Sequence, residues 1–171
     1  MILTVPRHAM VILIGPSGAG KTTFAARNFA PTEVLSSDAM RALVADDPND
    51  QSATDAAFEL LHAALGMRLA RGRLTVVDAT NVDAWARSAL LAVARRHDRP
   101  SAAIVFDLPV GLCLGRNAER ADRRVPAAAV RRQHAKMRGS LASLAKEGIG
   151  SIAVLSTPDA VDSLHVDRRR A

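Results

Sequence analysis

Met10-Val11-Ile12-Leu13-Ile14-Gly15-Pro16-Ser17-Gly18-Ala19-Gly20-Lys21-Thr22 is the stretch whose reading decides the fold. Its first five residues are all apolar, the pattern of a short strand buried on both faces, and residues Thr22 to Phe29 continue as a helix. Between strand and helix stands a complete G-x-x-x-x-G-K-[S/T], in the context that motif requires. Gly15, Gly18 and Gly20 permit a tight turn that aims successive backbone N–H groups at one point, and the positive end of the helix dipole adds to them. Phosphate is the expected occupant. Gly15, Ser17, Gly18, Ala19, Gly20, Lys21, Thr22 and Thr23 form the cradle, with Lys21 directed at the β and γ phosphates of ATP and the Thr22 hydroxyl at a bridging Mg²⁺. An ordinary glycine-rich turn explains neither Lys21 nor Thr22.

Working outward, Pro31 ends the first helix, Glu33 to Leu35 reads as a short strand, and Ser37 to Ala45 as a helix capped by Ser37. Asp46-Asp47-Pro48-Asn49-Asp50 is a polar loop. Phe58, Leu61, Leu65 and Leu69 lie at helical spacing within Thr54 to Arg71, and all four are assigned to the core. Leu74 to Val77 reads as a strand ending at Asp78, and a helix starting at Asn81 or Asp83 runs to about His97. A strand follows from Ala102 to Phe106. Pro109 and Pro126 each suit the start of a further helix, the second running to about Glu147. Ile152 to Leu155 is a last clear strand, and the tail after about residue 156 fits a short helix, an edge strand or disorder equally well.

Short apolar strands alternating with helices imply βαβ crossovers. The expected fold is therefore an α/β, P-loop NTPase kinase-like fold: a parallel sheet with helices on both faces, in one domain over residues 1–171. In such sheets ligands bind beyond the carboxyl ends of the strands. The cradle, Asp38 and Asp78 each follow a different strand end, so they are expected to converge.

Composition sets the class. The chain has 171 residues, 49% apolar, and no run near the roughly 18 residues of a membrane span. Met1 to Ala9 lacks a signal-peptide core, so the reading is a soluble, cytoplasmic protein with no membrane partner. The single cysteine, Cys113, excludes an internal disulfide and sits between leucines as a small core residue. The net charge of +6 is localised: Arg116 to Arg138 holds eight basic residues against Glu119 and Asp122, while the remainder balances at fifteen against fifteen. A basic segment on a neutral domain points to a polyanion, either nucleotide phosphates or a nucleic-acid backbone.

Phosphoryl transfer needs a cradle, Mg²⁺, a base at the acceptor hydroxyl and positive charge on the migrating group. Asp38, at a helix start beside the cleft, is the candidate base. Arg41, one turn later, either orients that carboxylate, holds an acceptor phosphate or forms a surface ion pair. Asp78 is placed to order water on Mg²⁺, joining Thr22 as the metal set, whereas Asn81 reads as a helix cap. Arg116, Arg120, Arg123 and Arg124 fall at offsets that place them along one side of a helix, as a lid over about residues 116–138. Spacing does not select which of them reaches the γ phosphate. The histidines form no metal-ligand spacing.

Gly15 to Ala25, Ser36-Ser37-Asp38 with Arg41, Val76-Val77-Asp78-Ala79-Thr80-Asn81 and Arg116-Asn117 with Arg120, in this order, resemble the polynucleotide 5′-hydroxyl kinase module of bacterial polynucleotide kinase-phosphatases. Asp46-Asp47 with Asn49-Asp50-Gln51, and Gly72-Arg73-Leu74, extend the resemblance to about residue 155. It implies transfer of the ATP γ phosphate to the 5′-OH end of RNA or DNA during repair. It also implies that Asp38 is the general base, that Arg41 contacts it and the acceptor, and that Arg116 and its neighbours bind ATP phosphates. Multidomain members carry phosphatase and ligase modules after the kinase; this chain ends at Ala171, as an isolated module or a free-standing kinase. The residues leave open a small-molecule kinase on the same fold and a non-catalytic ATP-binding regulator. A GTP switch is disfavoured because the chain has no N-K-x-D.

Overall fold

The computed structural model describes residues 1–121 and 124–169. Its framework is a five-stranded parallel sheet in the order β3-β4-β2-β5-β6, built from β2 (Met10–Ile14), β3 (Val34–Ser36), β4 (Thr75–Asp78), β5 (Ser101–Phe106) and β6 (Ser151–Leu155). The strand that opened the sequence reading is central, with β4 on one side and β5 on the other. Its burial on both faces follows from its residues. Val11 and Leu13 enter one apolar cluster, with Phe24, Ile104 and Phe106, while Met10, Ile12 and Ile14 enter the other, with Leu61, Leu65, Leu90 and Val105. A side-chain period of two distributes one apolar run between two cores.

The helices are α1 (Lys21–Asn28), α2 (Ser37–Ala45), α3 (Thr54–Ala70), α4 (Ala84–Arg96), α5 (Val110–Glu119), α6 (Ala127–Leu144) and α7 (Pro158–Ser163). Three details differ from expectation. Ser36, not Ser37, caps α2 by accepting from the Ala39 amide, because Ser36 retains extended backbone and Ser37 is already helical. Phe58 is only half-buried, while Ala57, Leu61, Leu65 and Leu69 face the core. Asn81 caps nothing: its backbone is left-handed (φ 48°) and its buried amide donates to the Leu13 carbonyl at 2.8 Å.

A second, two-stranded parallel sheet pairs β1 (Ile2–Pro6) with β7 (His165–Arg169), in register from Ile2 opposite His165 to Pro6 opposite Arg169. The tail thus contains both a short helix and a strand, and the strand at the start of the chain is its partner. No helix among the described residues is long and apolar enough to cross a membrane.

Candidate functional site

A cleft of about 630 Å³ opens at the carboxyl ends of the central strands. Its lining includes the cradle (Ser17, Gly18, Gly20, Lys21, Thr22, Thr23), the start of α2 (Ser36, Ser37, Asp38, Arg41) and the end of β4 with its following loop (Asp78, Ala79, Thr80). Gln51, Thr54 and Phe58 contribute from the α3 side, and Arg116, Glu119, Arg120 and Gln133 from the α5–α6 side. The convergence expected of three strand ends is the observed arrangement.

The cradle takes its shape from backbone chemistry. Gly18 and Gly20 have φ of 80° and 87°, a region that costs a side-chain-bearing residue energy. At Gly18 the packing is also absolute, since a Cβ there would lie 2.1 Å from the Cys113 carbonyl oxygen. Gly20 precedes α1 without a capping side chain, so the first amides of the helix are left for a ligand. Gly15 N–H donates to the Thr80 carbonyl at 2.9 Å, and Ser17 N–H donates to Gln133 Oε1 at 2.9 Å, tying the cradle to the loop after β4 and to α6.

Lys21 is buried and folded back, its Nζ donating to the carbonyls of Gly15 (2.9 Å) and Pro16 (2.8 Å). Burial pulls its pKa below the ordinary lysine value, and the carboxylate of Asp78 opposes that shift. Thr22 Oγ1 donates to Asp78 Oδ2 at 2.8 Å. Burial also raises the Asp78 pKa, against the opposing influence of Lys21 and the Thr22 hydrogen bond. Asp78 and Thr22 together offer hard oxygen donors of the kind Mg²⁺ takes in ones and twos beside phosphate oxygens.

On the opposite wall, Arg41 Nη1 pairs with Asp38 Oδ1 and also donates to the Pro48 carbonyl at 3.0 Å. Arg41 is only 6% exposed, so this is no surface ion pair; the guanidinium is enclosed by α2 and the loop that contains Pro48. Arg41 Nε and Thr54 Oγ1 are buried with no hydrogen-bond partner among the described residues, both on the wall that holds Asp38. Unsatisfied polar atoms of this kind are uncommon and costly.

The arginine cluster departs most from expectation. α5 ends at Glu119, and Arg120 is its extended C-cap (φ −67°, ψ 128°), so Arg116, Arg120 and Arg124 do not share one helix face. Asn117 explains the break: its amide donates to the Val125 carbonyl at 2.7 Å and its oxygen accepts from the Val125 amide at 3.1 Å, closing a turn that a continued helix would open. Arg116 lies over the start of α1, its Nη1 3.6 Å from where a Cβ on Gly20 would project, and Arg120 also lines the cleft. Arg124 donates to the Arg120 carbonyl, and Arg123 lies outside the described residues. Beside Arg116, a smaller hollow of about 260 Å³ is bounded by Thr23, Phe24, Arg27, Pro158 and Val161.

Sequence reading missed four contributors. Gln133 and Thr54 give no motif signal. Phe58 is at core spacing yet faces the cleft. Arg87 did carry a signal, because it occupies the apolar stripe of α4 with Leu90, Leu91 and Ala94. It is fully buried, forms a bidentate pair with Glu147 (2.8 and 2.6 Å) and donates to the Asn81 carbonyl at 2.9 Å, which fixes the loop after Asp78.

A model of the family described as AAA domain matches residues 10–144. Among solved structures, a chain of the Pnkp1/Rnl/Hen1 RNA repair complex is similar in fold, with TM-score 0.69 and 20% identity over 83% of this chain and 47% of that one. A chain of the AvrRxo1-ORF1:-ORF2 complex with ATP gives TM-score 0.69 and 15% identity over 90% and 55%. A gluconokinase from Sinorhizobium meliloti 1021 gives TM-score 0.56 and 17% identity over 92% and 87%. The chain spans about half the length of the first two. No curated protein matches it in sequence. The fold is a P-loop, kinase-like α/β fold.

Proposed function

The chain belongs to the AAA domain family, and from that premise we propose that it is a cytoplasmic, ATP-dependent kinase acting on the 5′-OH ends of RNA or DNA. The observation that carries the kinase reading is a single cleft with the phosphate cradle on one wall and the Asp38–Arg41 pair on the other. ATP and Mg²⁺, when bound, supply the phosphoryl group and neutralise charge around it. The residues fit both: the cradle has left-handed glycines and uncapped helix amides, and the metal corner has Thr22 and Asp78.

In this mechanism Lys21 exchanges its two loop carbonyls for phosphate oxygens, retaining its hydrogen bonds while gaining charge compensation. Asp38 accepts the proton of the acceptor hydroxyl as it attacks. Arg41 holds that carboxylate in place, and with Thr54 it offers buried polar atoms to the acceptor. Arg116 and Arg120 place guanidinium charge over the cradle, where negative charge spreads during transfer. The hollow beside Arg116 is the seat for the nucleoside of ATP.

The polynucleotide part rests on charge beyond the cleft. α6 carries Arg131, Arg132, Lys136 and Arg138, all exposed, and no acid. Lys136 and Arg138 pair with Asp83 and Asp107, and the basic surface that Arg131 and Arg132 add outside the cleft suits a chain of phosphates better than a compact metabolite. We place residues 1–171 as one kinase domain, working beside phosphatase and ligase modules on other chains or in a longer parent. A small-molecule kinase is the second reading, favoured by the gluconokinase similarity over most of both chains.

The test is transfer from γ-labelled ATP to 5′-OH RNA and DNA oligonucleotides, compared with gluconate and nucleosides. The expected result is labelled oligonucleotide, with a KM that rises more steeply with salt than the KM for ATP. Transfer to small hydroxyl compounds alone would overturn the polynucleotide assignment and leave the kinase.

A further inference from the structure

The chain has one tryptophan, and it is not in the core: Trp85 is 75% exposed, the most exposed of the large apolar side chains. A single exposed apolar residue is ordinarily unremarkable. Its position makes this one different. It stands in the first turn of α4, five residues beyond Thr80, which lines the cleft. Because Cα–Cβ bonds in a helix tilt toward its N-terminus, a first-turn side chain leans toward the rim on which ligands enter. The buried face of α4 is Arg87, Leu90, Leu91 and Ala94, so Trp85 projects away from the core.

The rim beside it is tied to the basic helix. Asp83, two residues before Trp85, accepts from Lys136 Nζ at 2.7 Å. Arg132 lies one turn before Lys136 on the same exposed edge, and Gln133 reaches the cradle. An exposed aromatic in the first turn of α4, a helix whose cap residue Asp83 is paired with a lysine of the basic helix, supplies the two kinds of group that single-stranded nucleic acid uses: bases stack and phosphates find cations. The Lys136–Asp83 pair is exposed on the lysine side, so exchanging Asp83 for a phosphate costs little.

We propose that Trp85 is a stacking platform for a base of the acceptor strand as it leaves the cleft, with Lys136 and Arg132 as its phosphate contacts. This rests on the polynucleotide reading and adds to it a site outside the cleft that sets a minimum acceptor length. A nucleoside, confined to the cleft, does not reach Trp85; an oligonucleotide does.

Because Trp85 is the only tryptophan, its fluorescence reports the site directly. Titrating a 5′-OH tetranucleotide into the full chain is expected to quench it, whereas a tetramer with abasic sites after the first nucleotide leaves it unchanged. In kinetics, Trp85→Ala is expected to raise the KM for the tetranucleotide about 5- to 20-fold, with Trp85→Phe restoring most of the loss. The KM for ATP moves in neither variant. At 75% exposure the residue contributes little packing, so both variants fold. If the tetranucleotide is phosphorylated while fluorescence and the Trp85→Ala KM stay unchanged, the platform is wrong and the kinase reading survives. If no 5′-OH oligonucleotide is phosphorylated, both fall.

Discussion

The two walls of the cleft are built on different principles. The cradle wall is one contiguous segment, residues 15–23, shaped by two left-handed glycines and a helix start and held in place by Thr80 and Gln133. The facing wall is assembled from three consecutive elements, α2, the Pro48 loop and α3, which fold against one another to enclose Arg41. Charge follows the same division. Lys21 and Asp78 are buried ions whose pKa values are displaced toward neutrality by desolvation, a shift that the charge of each opposes in the other. Asp38 and Arg41 compensate one another within hydrogen-bond reach. One wall is poised for a ligand, and the other is poised for a reaction.

The largest expected effect breaks the cradle wall. Gly18→Ala puts a methyl group against the Cys113 carbonyl in a left-handed backbone, so α5 or the loop must move. A loss of about 3 kcal/mol is expected, or roughly 6–12 °C in Tm, together with ATP binding. A thermal melt and an ATP titration check it; an unshifted melt would show that the loop yields more readily than its geometry allows.

Asp38→Asn tests the facing wall alone. It keeps the shape and loses the base, so kcat should fall by about 10²- to 10⁴-fold with ATP affinity retained. Collapse of ATP affinity in parallel would move Asp38 to the nucleotide wall and dissolve the contrast.

Arginines sharpen the contrast further. Arg116→Ala is expected to raise the KM for ATP, and Arg41→Ala that for the acceptor, each by roughly 10- to 100-fold, the range for a lost charged hydrogen bond. Equal effects of either variant on both substrates would mean that the walls act as one.

The smallest effect concerns pH. Asp78 has a raised folded pKa, so its native state holds a proton more tightly than the unfolded chain does. Its contribution to stability is fully present below the unfolded value near 3.8 and is lost as pH rises through the raised folded value. Melting temperatures of wild type and Asp78→Asn, compared from pH 7 down toward pH 4, should therefore shift in favour of wild type as pH falls. A difference that stays flat, or moves the other way, would show that the carboxylate is fully compensated by Lys21.

Much of this was legible in the sequence where the cause was local. An apolar run of five residues that leads into a glycine-spaced loop ending in Lys21-Thr22 reads as a buried strand, and the loop itself has few conformations to choose from. Five parallel strands, the convergence of the cradle with Asp38 and Asp78, and the helix bounds to within a few residues all follow from such patterns. The shared helical face for Arg116 to Arg124 did not survive, because periodicity cannot register that Asn117 folds back on Val125. Phe58 has the spacing of a core residue, and only the position of α3 at the cleft edge turns it outward.

By itself, then, the sequence determined the elements that short-range chemistry dictates: the central strand, the cradle with its phosphate-directed amides, the α/β alternation and the basic segment. Tertiary structure alone decided the rest. β1 is a short apolar segment with Leu3 and Val5 in the core, β7 is largely polar, they stand at opposite ends of the chain, and each is a strand only because the other pairs with it. Arg87 is tolerated at the centre of an apolar face because Glu147, sixty residues away, meets it with both oxygens. Arg41 is buried because the Pro48 loop closes over it. For the strand pair and for Arg87 the partner is distant in sequence, and the free energy of the contact exists only after the sheet has brought the two together; for Arg41 the partner is seven residues away, but only the fold of the loop encloses the guanidinium.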